Sequence, residues 1–381
     1  MNAILSIAIL LTLSTSALVI WRFGNIRLRG NDPLPLTAFM AILFTSGLDV
    51  GLIMFPLTEF PVYESEPEYG FTNALAIEFG FWGFLVWAFY FLTTFYFCII
   101  EPRLKLFEIG WVNAVNSAVI IATCAFTGFL FLSYLPDYIV GISDPFRYGL
   151  VAIVVLLAVL SSTDIRYVKW LGLGSTVLFF GLILLFWLVS DVGFSGLFSS
   201  MFNLGGYFKN LPRFAQPLTD YHAFYLFWWF AWSIMIGQFV ARFVGGLTAR
   251  QLLLALLVIP SIPIALWFSV LYTYHANDLE LSGVLRNLMV IVGVIFVVNS
   301  LDSLTRIYSE NLNLTVVRLG GPAYVSMHWS LLYGLILLYQ FTPLKIEWIG
   351  LVVIGLYACI YTLIFLRRTE LRRTLRREAI V

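Results

Sequence analysis

Charge is what this sequence has least of. Only 11% of its 381 residues are Asp, Glu, Lys or Arg, while 61% are hydrophobic and the mean hydropathy is +0.92. So much apolar surface cannot be hidden in one water-soluble core, so lipid must act as solvent. A net charge of +1 gives no footing for nucleic acid, and none is expected as a partner. Cysteine is nearly absent: Cys98, Cys124 and Cys359 sit singly in three apolar segments, which excludes a disulfide framework or a CxxC metal site. His222, His275 and His328 are as scattered. There is no P-loop, nucleophile elbow or HExxH motif, so nothing points to an enzyme, a metal centre or an organic cofactor.

What the chain has is long uncharged apolar runs. Eleven are long enough to cross a ~30 Å hydrocarbon layer, near 5–22, 36–56, 74–100, 111–134, 147–163, 171–190, 221–241, 251–272, 284–305, 322–341 and 346–367. Their length argues for a helical bundle and against a barrel. If the amino terminus faces out, 17 of the 22 basic residues fall on the inner side and five on the outer, as the positive-inside rule requires. The outer loops are acidic by contrast, as in Tyr63-Glu-Ser-Glu-Pro-Glu68. The basic tail, residues 368–381, anchors the last helix at an anionic inner leaflet. The first run lacks a basic leading region and a small-residue cleavage site, so residues 1–30 read as a retained helix and inner loop.

Connections are short except for 191–220, where "FSGLFSSMFNLGGYF" carries the approximate apolar stripe of a surface-lying amphipathic helix. That segment separates five helices in 36–190 from five in 221–367. Two sets of five suggest an inverted-repeat transporter in which the first helix of each set is interrupted and the site lies between them.

The first helix of set one reads Thr45-Ser-Gly-Leu-Asp-Val-Gly-Leu-Ile-Met-Phe-Pro56. Gly47 and Gly51 remove side chains where backbone or ligand must approach, and the proline leaves carbonyls unpaired, so this helix is expected to unwind. Asp49, an ionisable group in the membrane interior, is expected to face a cavity, a proton route or a cation. The first helix of set two carries "FYLFWWFAW", with three of the 12 tryptophans within five residues. Trp228 and Trp232 share a helix face, and Trp229 is turned by about 100 degrees from Trp228, making a corner of indole surface. Trp87 and Tyr90 on the second helix of set one are placed to close it. Such a box attracts a quaternary ammonium through the ring quadrupole, at ~2 kcal/mol per desolvated contact.

The stretch "FYLFWWFAWSIMIGQFVARFVGGLTAR" (224–250) resembles the signature of the betaine/choline/carnitine transporters, FYWAWWxxWxxFxGxFxARxSRGRTxR. Weaker likenesses continue through "WRFGNIRLRG", "LFTSGLDVGLIMF", "FWGFLVWAFY", "SSTDIRYVKWLG" and "IPSIPIALWFSVL" in the family's order. The resemblance implies an aromatic box on Trp87, Trp228, Trp229 and Trp232. It implies an ion site at Thr45 and Leu48 with Phe296, Asn299 and Ser300, where asparagine replaces the family's threonine. It further implies a homotrimer; the family has one more helix ahead of the one at 5–22, and a shortened member lacking that first helix would have its amino terminus outside, as expected here. Asp49 stands where the family typically has a glycine, which points to proton coupling or to a cationic solute.

The function expected is alternating-access secondary transport of a small quaternary-ammonium or onium solute of betaine, choline, carnitine or dimethylsulfoniopropionate type. Sodium or a proton would be the coupling ion, and a bacterial inner membrane the location, with the carboxy terminus in the cytoplasm. The alternative is a transporter fold reused as a structural or sensory subunit among other subunits.

Overall fold

In lipid a backbone must satisfy its own hydrogen bonds, and the eleven expected runs are helical over nearly all their described residues. The computed structural model describes residues 1–46, 50–371 and 373. Among these, nine spans are long and apolar enough to cross a membrane, which with the composition makes the chain an integral membrane protein. The other two expected runs are the interrupted one beginning at residue 36 and the 21-residue helix Gly321–Phe341.

A leading helix, α1 (Asn2–Phe23), precedes the first set. That set comprises α2 (Leu36–Ser46), α3 (Val50–Met54) and α4 (Pro56–Ser65) as one interrupted element, and α5 (Ala74–Trp82) with α6 (Trp87–Ile99) as a second. It continues with α7 (Gly110–Tyr138), α8 (Asp144–Ser161) and α9 (Ile165–Val189). After α10 (Gly193–Phe202), the second set runs α11 (Asp220–Phe243), the pair α12 (Ala249–Val258) and α13 (Ser261–Ala276), α14 (Gly283–Asn311), α15 (Gly321–Phe341) and α16 (Ile346–Leu366).

The packing is reciprocal. The third helices, α7 and α14, lie against each other; α8 packs on α14 as α15 packs on α7, and α9 meets α14 as α16 meets α7. Likewise α3 touches α14 and α11 touches α7. Exchanging the sets leaves this pattern unchanged, as an inverted repeat of five plus five requires, because an odd number of spans brings the second set in from the opposite face.

One expectation needs correcting. The first helix of set two is not interrupted: α11 runs unbroken for 24 residues, its sequence holding no proline and one glycine, Gly237. The breaks fall in α2–α4, between α5 and α6, and between α12 and α13, where Pro56, Gly83 and Pro260 stand.

A two-stranded ribbon, unforeseen from sequence, pairs β1 (Arg27–Arg29) antiparallel with β2 (Gly245–Thr248). It ties the chain leaving α1 to the chain leaving α11. Gly30 has no room for a side chain, since a Cβ there would strike the Ala241 and Arg242 carbonyls. On the opposite flank α10 leans on α13 and exposes Phe194, Phe198 and Phe202 along one face, as a helix lying in a membrane surface would.

Candidate functional site

Broken helices leave polar backbone unpaired, and at these breaks the partners are side chains from distant elements. Pro56 has no N–H to give the Leu52 carbonyl, which accepts instead from Trp267 Nε1 on α13 at 2.9 Å. The next freed carbonyl, Met54, accepts from the Tyr138 hydroxyl on α7. Where α5 ends, Gly83 is extended (φ −109°, ψ 169°) and Phe84 has φ +48°, in the left-handed region costly for a bulky residue. The Phe81 carbonyl loses its helical donor there and accepts from Trp229 Nε1 at 2.6 Å, while the Leu85 N–H turns to the Tyr207 hydroxyl at 3.2 Å. The Phe84 N–H donates to Ser261 Oγ at 2.9 Å, and that hydroxyl donates to the Leu257 carbonyl at 2.6 Å. The break in α5–α6 is therefore capped by the break in α12–α13.

Around these breaks lies an aromatic cluster. Trp82, at the end of α5, meets Trp228 and Trp229 at centroid distances of 5.5 and 5.1 Å, both edge to face. Phe55 lies 6.0 Å from Trp82 and 6.4 Å from Trp228, and Tyr225 lies 5.6 Å from Trp82. Beneath them is Gly51: a Cβ there would stand 2.6 Å from Trp82 Cη2 and 2.9 Å from Phe55 Cε2. The glycine of the interrupted helix thus sets how close the tryptophan can come. The rings touch one another in this conformation, with the positive rim of one against the negative face of the next, the position an onium would take.

The structure brings together only part of the box expected from sequence. Trp228 and Trp229 belong to the cluster. Trp87 pairs with Tyr90 at 5.1 Å, and among the described residues neither Trp87 nor Trp232 makes a ring contact with Trp228 or Trp229. All are buried, and among the described residues the indole N–H groups of Trp87, Trp228 and Trp232 have no hydrogen-bond partner. Trp82 is the ring that sequence reasoning missed. Its signal was present in "FWGFLVWAFY", one position before the glycine that breaks the helix.

Of the positions assigned to coupling, Gly51 lies in α3 and Thr45 in the backbone of α2, whereas Gly47, Leu48 and Asp49 fall outside the described residues. Phe296, Asn299 and Ser300 are buried on α14, which packs on α3 where Gly293 faces Val50 and Met54. Of the buried acids not singled out in the sequence, Asp302 on α14 pairs with Arg306, while Glu59 on α4 and Glu78 on α5 meet at one tyrosine. Their signal was the one used for Asp49, a carboxylate within or beside an apolar run. Tyr63 links them, its hydroxyl lying 2.5 Å from Glu59 Oε2 and 2.7 Å from Glu78 Oε2. Tyr225 donates to Glu59 at 2.8 Å, and Tyr221 donates to it as well.

Residues 111–277 match the family model described as "BCCT, betaine/carnitine/choline family transporter". Among curated proteins, the glycine betaine transporter OpuD of Bacillus subtilis is 27% identical over 68% of this chain and 60% of its own length. The high-affinity choline transport protein of Escherichia coli is 24% identical over 83% of this chain and 57% of its own length. The glycine betaine transporter 1 of Vibrio parahaemolyticus is 26% identical over 67% and 57%. This chain thus spans about three fifths of the length of these relatives. A solved structure of a Na+-coupled sialic acid symporter, substrate-bound and outward-open, aligns over 93% of this chain and 82% of its own at 14% identity, with a TM-score of 0.47. By these matches the chain is a relative of the betaine/carnitine/choline family transporters, with residues 111–277 similar to that family's model.

Proposed function

We propose that this protein is a secondary active transporter of a small quaternary-ammonium or related onium solute. The single observation that carries the proposal is the Trp82–Trp228–Trp229 cluster, built at the junction of interrupted helices in a chain whose relatives are betaine and choline transporters. A methylated cation offers no hydrogen bonds, so ring faces suit it better than carboxylates alone. In the conformation described the faces are covered by neighbouring ring edges, so the solute must displace Trp82 from Trp228 and Trp229 to be held. Trp82 caps α5 and rests on Gly51, so that displacement moves the broken helices. Solute binding then biases the packing of one set against the other, as alternating access demands. Thr45, Leu48, Phe296, Asn299 and Ser300 are the proposed sodium positions. Asp49 is the proposed partner of a proton or of a cationic solute.

The test is binding of glycine betaine, choline, carnitine and dimethylsulfoniopropionate to the purified protein, read by tryptophan fluorescence. Replacing Trp228 by leucine should weaken onium binding by tenfold for each ~1.4 kcal/mol of cation–π attraction lost. Replacing Trp232, which stands apart from the cluster, should change it less. Undiminished affinity in Trp228→Leu rules out the aromatic site. Stable co-migration with unrelated subunits and no onium binding would favour reuse of the fold in a larger assembly.

A further inference from the structure

The two buried carboxylates beside the aromatic cluster have no role in the proposed function so far. Glu59 and Glu78 are 3% and 0% exposed, and among the described residues no lysine or arginine bonds to either. The groups facing them are acids and neutral polar side chains. From α4 itself come Tyr63 and, farther along, Glu64; from α11 come Tyr221 and Tyr225, with His222 stacked on Phe81 of α5. His222 Nδ1 accepts the Leu218 N–H at 3.1 Å. Tyr134 of α7 lies beyond Tyr221, and Tyr69 packs on Tyr63. From α13 come Tyr272 and His275, the latter paired with Glu64 at 3.1 Å.

Counting hydrogens decides the protonation state. Tyr63 has one hydroxyl hydrogen and stands within 2.7 Å of two carboxyl groups, so it can donate to only one and must accept from the other. Glu59 already receives Tyr221 and Tyr225 and is the acceptor. Glu78 is the donor: its Oε2 carries a proton to the Tyr63 oxygen. Independently of these bonds, Glu78 Oε1 is buried with no partner. A neutral carbonyl oxygen tolerates that position, whereas a full carboxylate would leave half its charge unsolvated. Trp82 stands one helical turn after Glu78 with its buried N–H directed at that carboxyl, and Glu59 lies within interaction distance of Glu78, so the two acids form one tightly coupled pair.

We infer that Glu59, Tyr63 and Glu78 form a one-proton site whose proton is exchanged for the cationic solute of the neighbouring aromatic cluster. This rests on the onium-transporter proposal above and is distinct from any role of Asp49. The link is short: Tyr225 bonds to Glu59 through its hydroxyl, and its ring lies 5.6, 5.9 and 6.4 Å from Trp82, Trp228 and Trp229. With the proton bound, Glu78 and Glu59 clasp α5 to α4 through Tyr63. A cation entering among the tryptophans stabilises a second negative charge, and the Glu78 proton leaves to water. Two carboxylates then repel across one hydroxyl and the clasp loosens. A zwitterion brings its own carboxylate and exchanges less. Linkage makes the effect reciprocal, so choline affinity rises with pH as the site deprotonates.

The experiment uses the full chain in weakly buffered solution with a pH-indicating dye. Adding choline should release about one proton per bound solute, and choline affinity should rise roughly tenfold across the titration of the site. Glu78→Gln, which imitates the protonated acid, should release none and bind choline with a flat pH profile, while Asp164→Asn, at the cap of α9 and away from the aromatic cluster, should still release. Choline binding without proton release, or release kept by Glu78→Gln, overturns the inference and leaves the transporter proposal standing. If no onium binds, that proposal fails first. The proton site is then tested in the parent and in Glu78→Gln by infrared spectroscopy: a protonated-carboxyl band present in the first and lost in the second supports it, and no such band overturns it.

Discussion

The two five-helix sets begin in opposite ways. Set one opens with a helix in pieces, α2, α3 and α4, holding Pro56 and Pro61 and borrowing hydrogen-bond partners from α7 and α13. Set two opens with α11, 24 residues without a break, whose tryptophans and tyrosines are presented at fixed helical spacing. Related positions of an inverted repeat thus divide the work. The continuous helix is a rigid post for the rings, and the discontinuous one is the part whose packing can change. The residues making the second part changeable are those that cost an ordinary helix most, glycine and proline. The carbonyls they free are held by side chains that can let go, not by backbone.

The sharpest way to break that contrast is to fill the contact between the two parts. Gly51→Val places a branched side chain where even a Cβ would lie 2.6 Å from Trp82. Such overpacking should cost about 3 kcal/mol or more and appear as a large drop in thermal stability. Unchanged stability would show that the broken helix already yields freely.

A more moderate change asks whether the interruption at Pro56 is held open by its partners. Trp267→Phe keeps the aromatic packing but strips the Leu52 carbonyl of its donor, a loss of about 1–3 kcal/mol for a buried acceptor left unpaired. Pro56→Ala supplies a backbone N–H to the same carbonyl, and the double variant should be more stable than the sum of the single effects predicts. Strict additivity would mean that α3 and α4 are kept apart by something other than the missing donor.

The smallest effect is expected far from the breaks, where α9 begins. Asp164 caps that helix through the Arg166 N–H and also meets the Arg166 guanidinium; these hydrogen bonds, then the positive charges of Arg166 and Arg306, hold its carboxyl down to about 2. A depressed value means the cap's contribution is full above the ordinary carboxylate range and is lost as pH falls toward about 2. Amide exchange at Arg166 should therefore stay slow through mild acid and quicken only near that limit. In Asp164→Ala it should be fast at every pH.

Much of the fold was legible because its causes are local. A run of apolar residues is a helix in lipid whatever surrounds it, so the helical segments could be read from hydropathy. Gly51 and Pro56 marked the broken helix, since both act on their own backbone. The continuity of α11 was not anticipated from the repeat pattern, although its own composition, with one glycine and no proline, was the better guide.

The site was legible only in part. Sequence determined that this chain lives in a membrane, that one helix of set one must be interrupted, and that indole is concentrated opposite it. Tertiary structure alone decided that Trp82 joins Trp228 and Trp229 while Trp87 and Trp232 stand apart, that Trp229 and Trp267 spend their N–H groups on freed carbonyls, and that Glu59 and Glu78 meet at one tyrosine. The physical reason is that spacing along a helix fixes which residues share a face, but not how that helix is turned toward its neighbours. That rotation is set by close packing against elements far away in the chain, and it is rotation that brings rings and carboxyl groups into contact.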